Sequence, residues 1–593
     1  MDTNAKEFCV KGVPISKGIA IGKPFFFTLT ETDCPEYTID IEDIEKEILR
    51  YRRAVEASCR DVERLQRRLE REGVTEAAAI LETHLHMMQD MMLTVEVEQG
   101  IRLKRNNAES VFCSVIKKCK KKFMALPDPF FRERYKDIKD VARRILGHLC
   151  ETGVNPLAQV PARAVVVAHE LPASDAAEAT AATVSAFVTA TGGATSHAAI
   201  VAKARGIPCV TEIDVALMQN HRECDVVVDG CKGEIIINPS SSTLRKYRKI
   251  QKQLESYFCH LTKESRLEAE TYDGYSVSLF ANVEISGELD MLHQYGGKGV
   301  GLFRSEYIFL SRDHIPSEDE QFVIYKGLVE KMKGLPIVMR VFDIGGDKFS
   351  HIDELPYEET RNLLGCRAIR FLLKEREIFK TQMRAILRAA AFGDVRVMFP
   401  MVEGPGEFLD AKAVVEETQS ELANEGFVLD KKIPVGCMVE VPSAAIMADA
   451  LAQECDFLSI GTNDLVQYCL AADRSDQVMS VTYTPSHPSI IRLIKLIITA
   501  AAHHDIPVTV CGEMAADPHF TPLLLGLGIR EFSVALRYLP IVKKAIRSTS
   551  LIEATELAEK VMLLTKDHEI RELLASYYHK HAPDKEDPDF ETM

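Results

Sequence analysis

No stretch of this 593-residue chain reaches the roughly 18 apolar residues that a membrane-spanning helix needs. The nearest candidate, 491–502, is interrupted by Arg492 and Lys495. The opening residues, Met1-Asp2-Thr3-Asn4-Ala5-Lys6, lead into no apolar leader segment. Neither a CxxC pair nor a His-Cys metal spacing occurs among the 15 cysteines. That excludes a zinc ribbon or dithiol redox motif and predicts reduced thiols in a cytoplasmic protein, most of them buried as small apolar groups. Basic charge is not in excess either. A net charge of −16 argues against nonspecific nucleic-acid binding, and an anionic substrate must find a local basic pocket against the overall field. No Walker-type loop and no low-complexity tract is present.

What is present is enough for three or four globular domains, with 46% hydrophobic and 27% charged residues. Short apolar runs broken by Gly and Pro over 10–27 predict strands and turns. From residue 41, Ile41, Ile44, Ile48, Tyr51, Val55, Val62, Leu65 and Leu69 recur at helical spacing. Further helical patterns run through 76–99, 108–123 and 137–151. The expectation is an α/β domain over 1–34 and 151–239, interrupted by a helical bundle over 35–150. A linker helix follows over 240–268, where the basic run Arg245-Lys246-Tyr247-Arg248-Lys249 reads as its solvated face. Eight strand candidates then alternate with helices: 277–283, 298–302, 336–342, 395–399, 435–440, 457–461, 508–511 and 531–534. This predicts a (β/α)8 barrel over 269–575, with a loose tail over 576–593.

Two constellations carry chemistry. Gly192-Gly193-Ala194-Thr195-Ser196-His197 lies between a predicted strand and the helical run from Ala198. A helix N-terminus offers free N–H groups to a phosphoryl group, and the hydroxyls can cap the helix or donate to phosphate oxygens. His197 is then a candidate nucleophile. In the barrel, Arg304, Arg340, Glu440, Asn463, Asp464 and Cys511 fall at or just after strand ends, where barrel enzymes place their chemistry. Glu440 and Asp464 can hold Mg²⁺. The arginines suit carboxylate and phosphate, Asn463 adds a neutral donor, and Arg474 can close the phosphate side. Cys511 can act as a weak acid toward a carbanion-like carbon. His503-His504 reads as a solvated helix end rather than a metal site, because adjacent residues on a helix diverge. The methionines of 86–92 read as core and partner groove.

Longer segments extend these sites: GGATSHAAIVAKARGIPCV (192–210), GLFRSE (301–306), DIGGDK (343–348), GCRAIR (365–370), MFPMV (398–402), SIGTNDLVQY (459–468), ADR (472–474) and VCGEMA (510–515). With Lys17-Gly18-Ile19-Ala20-Ile21-Gly22 at the start, the chain resembles, nearly throughout, enzyme I of the bacterial sugar phosphotransferase system, the phosphoenolpyruvate–protein phosphotransferase family. The resemblance implies a swivelling phosphohistidine domain whose His197 is phosphorylated by phosphoenolpyruvate. It implies substrate contacts from Arg304, Arg340, Asn463, Asp464 and Arg474, Mg²⁺ on Glu440 and Asp464, and proton donation by Cys511. It also implies docking of the carrier protein HPr on the helical insertion and homodimerisation through the barrel. His84 matches, weakly, a histidine on the acceptor-side helix. A dikinase or phosphoenolpyruvate synthase would need an added ATP-binding domain, and a nitrogen-related paralogue an N-terminal sensory domain. A non-catalytic phosphoenolpyruvate-binding regulator would not need His197, the carboxylate pair and Cys511 together.

Overall fold

The computed structural model describes residues 7–27, 35–72, 75–124, 129–150, 160–161, 163–179, 183–193, 196–219, 221, 224–265, 267–284, 288–310, 314–345, 365–427, 432–472 and 484–581. It divides into two units, one running to Glu255 and the other starting at Ser256.

The first unit contains strands β1 (Phe8–Lys11), β2 (Val13–Ser16), β3 (Ile19–Gly22), β4 (Pro24–Phe27), β5 (Ala164–Ala168), β6 (Val184–Thr189), β7 (Cys209–Thr211), β8 (Val226–Asp229) and β9 (Glu234–Ile237). They form a five-stranded sheet, β2-β7-β6-β5-β4, and a four-stranded sheet, β1-β9-β8-β3. The chain leaves the first sheet at β4 and re-enters on the adjacent parallel strand β5. Between them lie five helices: α1 (Ile44–Glu72), α2 (Thr75–Gln89), α3 (Met91–Lys104), α4 (Ala108–Met124) and α5 (Pro129–Leu149). Of the predicted stripe, Ile48, Tyr51, Val62, Leu65 and Leu69 are buried and Ile44 and Val55 half-buried, whereas Ile41, just before α1, is exposed.

The bundle and the sheet share one core, in which Leu81, Phe112 and Ile145 join Val166, Phe187, Val201 and Ala202. A buried polar joint reinforces it. On α5, Asp140 accepts from the Ser174 hydroxyl at 2.8 Å and its N–H at 3.1 Å, while Arg143 bridges Asp140 and Asp175. Ser174 and Asp175 belong to α6 (Ala173–Glu178). Burial pushes the Asp175 carboxyl up to about 7, against the pull of Arg143. His84 is buried in the same region, 3.5 Å from Asp137. Cys113 on α4 is disulfide-bonded, which corrects the expectation that every cysteine is reduced. Its partner lies outside the described residues.

After α7 (His197–Arg205) and α8 (Ala216–Gln219) comes the long helix α9 (Ser241–Glu264), and the division between the units falls inside it. Arg245, Lys246, Arg248 and Lys249 are exposed along α9, while Tyr247 turns inward and donates to Asp229 at 3.3 Å.

The second unit is a closed barrel of eight parallel strands in chain order: β10 (Ser278–Val283), β11 (Val300–Arg304), β12 (Ile337–Arg340), β13 (Val395–Phe399), β14 (Val435–Val439), β15 (Phe457–Gly461), β16 (Val508–Cys511) and β17 (Glu531–Ala535). Leu302, Val338, Met398, Met438, Phe457 and Cys511 pack together inside it. A larger apolar layer lies between strands and surrounding helices. The expected strands are therefore all present, with ends shifted by a few residues. Arg304 is the last residue of β11 instead of following it. The final helix, Asp567–His581, buries Ile570 and Leu574 and runs past residue 575, where a loose tail was expected to begin. No helix among the described residues is long and apolar enough to cross a membrane.

One contact in the helical layer is unusually close. A Cβ at Gly526, in the helix Thr521–Leu527, would lie 1.9 Å from the Ala554 carbonyl oxygen of the helix Leu551–Leu563. Gly→Ala ordinarily strengthens a helix. Here the overlap outweighs that gain, so Gly526→Ala should destabilise the barrel by about 1–3 kcal/mol. Urea unfolding of the two proteins checks this, and an unchanged or raised midpoint would refute the contact.

Candidate active site

In the first unit the segment read from the sequence as a candidate phosphoryl acceptor opens α7. Gly192 takes φ +125°, and Ser196 caps the helix by accepting from the Ala199 N–H at 3.3 Å. His197 is the first helical residue, so free N–H groups and the positive helix end surround its backbone. Ala194 and Thr195 lie outside the described residues. The small buried residues Ala198, Ala199 and Ala202 let α7 lie close against its neighbours, α2 and α6 among them.

In the second unit the C-terminal strand ends gather a charged group. Arg340, last in β12 and buried, binds Glu306, lies 3.4 Å from Asp343, and reaches the Met438 sulfur at 3.8 Å. Asp343 in turn accepts from Arg367, whose Nη2 reaches both carboxylate oxygens at 2.8 and 3.0 Å and whose Nε reaches Oδ1 at 3.3 Å, while its Nη1 donates to the Tyr468 hydroxyl at 3.2 Å. Arg304, half-exposed at the end of β11, pairs with Glu284 at 2.7 Å. Asn463 accepts from the Glu513 N–H at 2.9 Å. Arg474 lies outside the described residues.

Glu440 directly follows β14 and is 1% exposed. Its Oε1 accepts from the Met401 N–H at 2.7 Å. A side chain at Gly461 would collide with it, since a Cβ there would stand 2.7 Å from Glu440 Oε2. Burial, and then the nearby Asp464 carboxylate, push Glu440 up to about 8. Glu440 therefore holds a proton more readily than a free carboxyl does, and the Asp464 charge is one of the causes.

Cys511 closes β16. Its thiol donates to the Ile460 carbonyl at 3.2 Å and accepts from Ser459 at 3.7 Å. Burial pushes it up to about 11, with Glu440 adding to the rise and Arg340 and Arg304 opposing it. The group is therefore a protonated thiol at neutral pH.

Arg340, Glu440, Asp464, Cys511 and Arg304 thus share one end of the barrel. Sequence reasoning did not assign roles to Glu306, Asp343, Arg367 and Tyr468, although all four stand in the quoted segments GLFRSE, DIGGDK, GCRAIR and SIGTNDLVQY. Charge alternation between those segments was the available signal.

Comparison with known proteins follows the same division. Three family models match: the N-terminal region of PEP-utilising enzymes at 11–134, their mobile domain at 160–233 and their PEP-binding domain at 260–551. A phosphoenolpyruvate-protein phosphotransferase of Staphylococcus carnosus is 37% identical over 575 residues, covering 96% of this chain and 99% of that protein. The chain belongs to the phosphoenolpyruvate-protein phosphotransferase family. The Bacillus subtilis member is likewise 37% identical, over 95% of this chain and 98% of its own. Among solved structures, an NMR structure of Enzyme I (nEIt) is 32% identical, with a TM-score of 0.36, over 41% of this chain and 99% of its own.

The thiol's burial has a chemical consequence. Brief treatment with iodoacetamide at neutral pH should label the exposed Cys9 and Cys366 well before Cys511. Peptide mass spectrometry reads the order, and early labelling of Cys511 would contradict its placement.

Proposed function

We propose that the protein takes the phosphoryl group of phosphoenolpyruvate onto His197, releases pyruvate and passes the group to a histidine of the carrier protein HPr. In this reading residues 1–34 and 151–239 carry the phosphohistidine and 35–150 dock HPr. Residues 240–268 link the halves, and the barrel that follows binds phosphoenolpyruvate and pairs with a second copy in the cytoplasm. The observation that carries the reading is Arg340. It is buried at the barrel mouth, and its Nε donor has no partner among the described residues. A buried guanidinium with an open donor suits an oxygen of a bound carboxylate or phosphate.

Arg304, Arg340, Asn463 and Arg474 orient phosphoenolpyruvate, with Asp464 beside them. A ring nitrogen of His197 attacks phosphorus, and the bond from phosphorus to the enol oxygen breaks. The arginines stabilise the charge left on the enolate. Cys511 gives its proton to the methylene carbon, forming pyruvate, and its thiolate regains a proton from solvent. Passing the group on to HPr then requires His197 to leave the barrel ligands.

Glu440 and Asp464 suit a divalent cation, because a positive charge between them would relieve the repulsion that raises Glu440. We assign them Mg²⁺, which when bound supplies positive charge to phosphate and enolate oxygens.

His197→Ala should accept no acid-labile label from phosphoenolpyruvate, yet bind phosphoenolpyruvate with nearly unchanged affinity by calorimetry. Label on the mutant would remove His197 from its role. A native protein that takes no label would instead favour a non-catalytic binder.

Cys511→Ser keeps the size of the side chain but offers a far weaker acid. Pyruvate formation should fall by roughly 10²–10⁴, while transfer from already phosphorylated His197 to HPr should be unaffected. Equal loss in both steps, or in neither, would make Cys511 structural.

A further inference from the structure

Outside the proposed active site, three ligand-type side chains converge on the barrel's helical layer. Asp449 is the second residue of the helix Ala448–Glu454, the second helix after β14 among the described residues. His503 ends the helix Pro488–His503, and His504 is its C-cap, with φ −101° and ψ 8°. Because His504 has left the helical conformation, the rule that adjacent helical side chains diverge does not apply. The two rings tilt by 48° with centroids 5.0 Å apart. Both aim a nitrogen at the same carboxylate oxygen: His503 Nδ1 at 3.4 Å and His504 Nε2 at 3.1 Å from Asp449 Oδ1. All three donor atoms lie within 4.8 Å of one another.

We propose that Asp449, His503 and His504 form a binding site for a nitrogen-preferring divalent transition metal of the Zn²⁺ type. Ligand atoms about 2.0–2.1 Å from a tetrahedral ion stand roughly 3.3 Å apart, close to the spacings found here. Two imidazoles and one carboxylate select Zn²⁺, Co²⁺ or Ni²⁺ over Mg²⁺ or Ca²⁺, which favour all-oxygen shells. Three protein ligands leave one position for water or a small anion. A nitrogen that ligates the metal must carry no proton, so any proton on His503 Nδ1 or His504 Nε2 moves to the opposite nitrogen, or leaves if the ring is charged, as the metal binds.

The place of the cluster gives it a mechanical role. Helices in this barrel run antiparallel to its strands, so the C-terminal end of Pro488–His503 lies toward the strand starts, away from Glu440, Asp464 and Cys511. A metal there ties the helix after β14 to the helix before β16, two elements already packed together. It would stiffen the barrel without entering the reaction. His503 and Asp449 are largely exposed, so the ion can reach the site without unfolding.

The test uses the full chain, freed of metal with a chelator and held in excess Mg²⁺ to occupy the oxygen sites. Titration with Zn²⁺ alone is compared between the native protein and His503→Gln/His504→Gln, which keeps every thiol and active-site carboxylate. The native chain should bind one Zn²⁺ more than the variant. Loss of either ring alone should weaken that site by no less than the roughly 10–100-fold that even an outer-shell change costs. Co²⁺ should give visible absorption bands in the native protein that the variant lacks. Zn²⁺ should raise the Tm of the native protein more than that of the variant. Without metal, equal Tm values confirm that the variant folds. Equal Zn²⁺ stoichiometry and identical Co²⁺ spectra would overturn the proposal.

Discussion

The barrel mouth depends on keeping acidic groups inside a protein. An ionised carboxylate cannot be buried alone, so it must be paired, hydrogen-bonded or neutralised. Glu306 and Asp343 meet this condition through Arg340, and Asp343 also through Arg367. Those acids hold two guanidinium groups in fixed orientations. Glu440 and Asp464 are different. They repel one another, and the Met401 N–H and the field of Arg340 offset only part of that cost. The site is thus left with an open guanidinium donor and an under-compensated carboxylate pair, suited to an anion and a cation bound together. Such an arrangement needs side chains from several strands to hold position, which a closed barrel provides.

The first unit places the backbone of His197 at the first position of α7. Its sheet receives the helical insertion between the neighbouring strands β4 and β5, and the two share a core. The insertion is therefore built into the support of α7. The Asp140–Arg143–Asp175 joint is a buried ion network, and removing one partner of such a network costs far more than the network contributes. Specificity of packing is a reasonable use for it.

Much of this was legible in the sequence. Parallel barrel strands are buried on both faces and appear as short apolar runs, so all eight were found. The helical insertion showed itself through the stripe from Ile48 to Leu69. Less was legible where the signal is not periodic. Arg367 and Asp343 act as a pair 24 positions apart, and only the fold brings them within 2.8 Å. The disulfide at Cys113 has no local motif. The last helix reads as charged and polar, with only Ile570 and Leu574 fully buried, so its end merged with the tail. His503 and His504 were read as a solvated helix end, and the helix does end between them, with His503 exposed.

The proposal that a thiol serves as the acid fits the surroundings of Cys511. A carboxylic acid at position 511 would stand within the field of Arg304 and Arg340, which favours its ionised form. It would tend to have lost the proton the reaction needs. A thiol starts from a higher value, and burial among Leu302, Val338 and Met438 raises it to about 11, so it stays protonated despite the arginines. In the proposed reaction the same arginines would stabilise the thiolate once the proton had gone to carbon. Burial keeps the proton in place before the reaction, and the neighbouring cations lower the cost of giving it up.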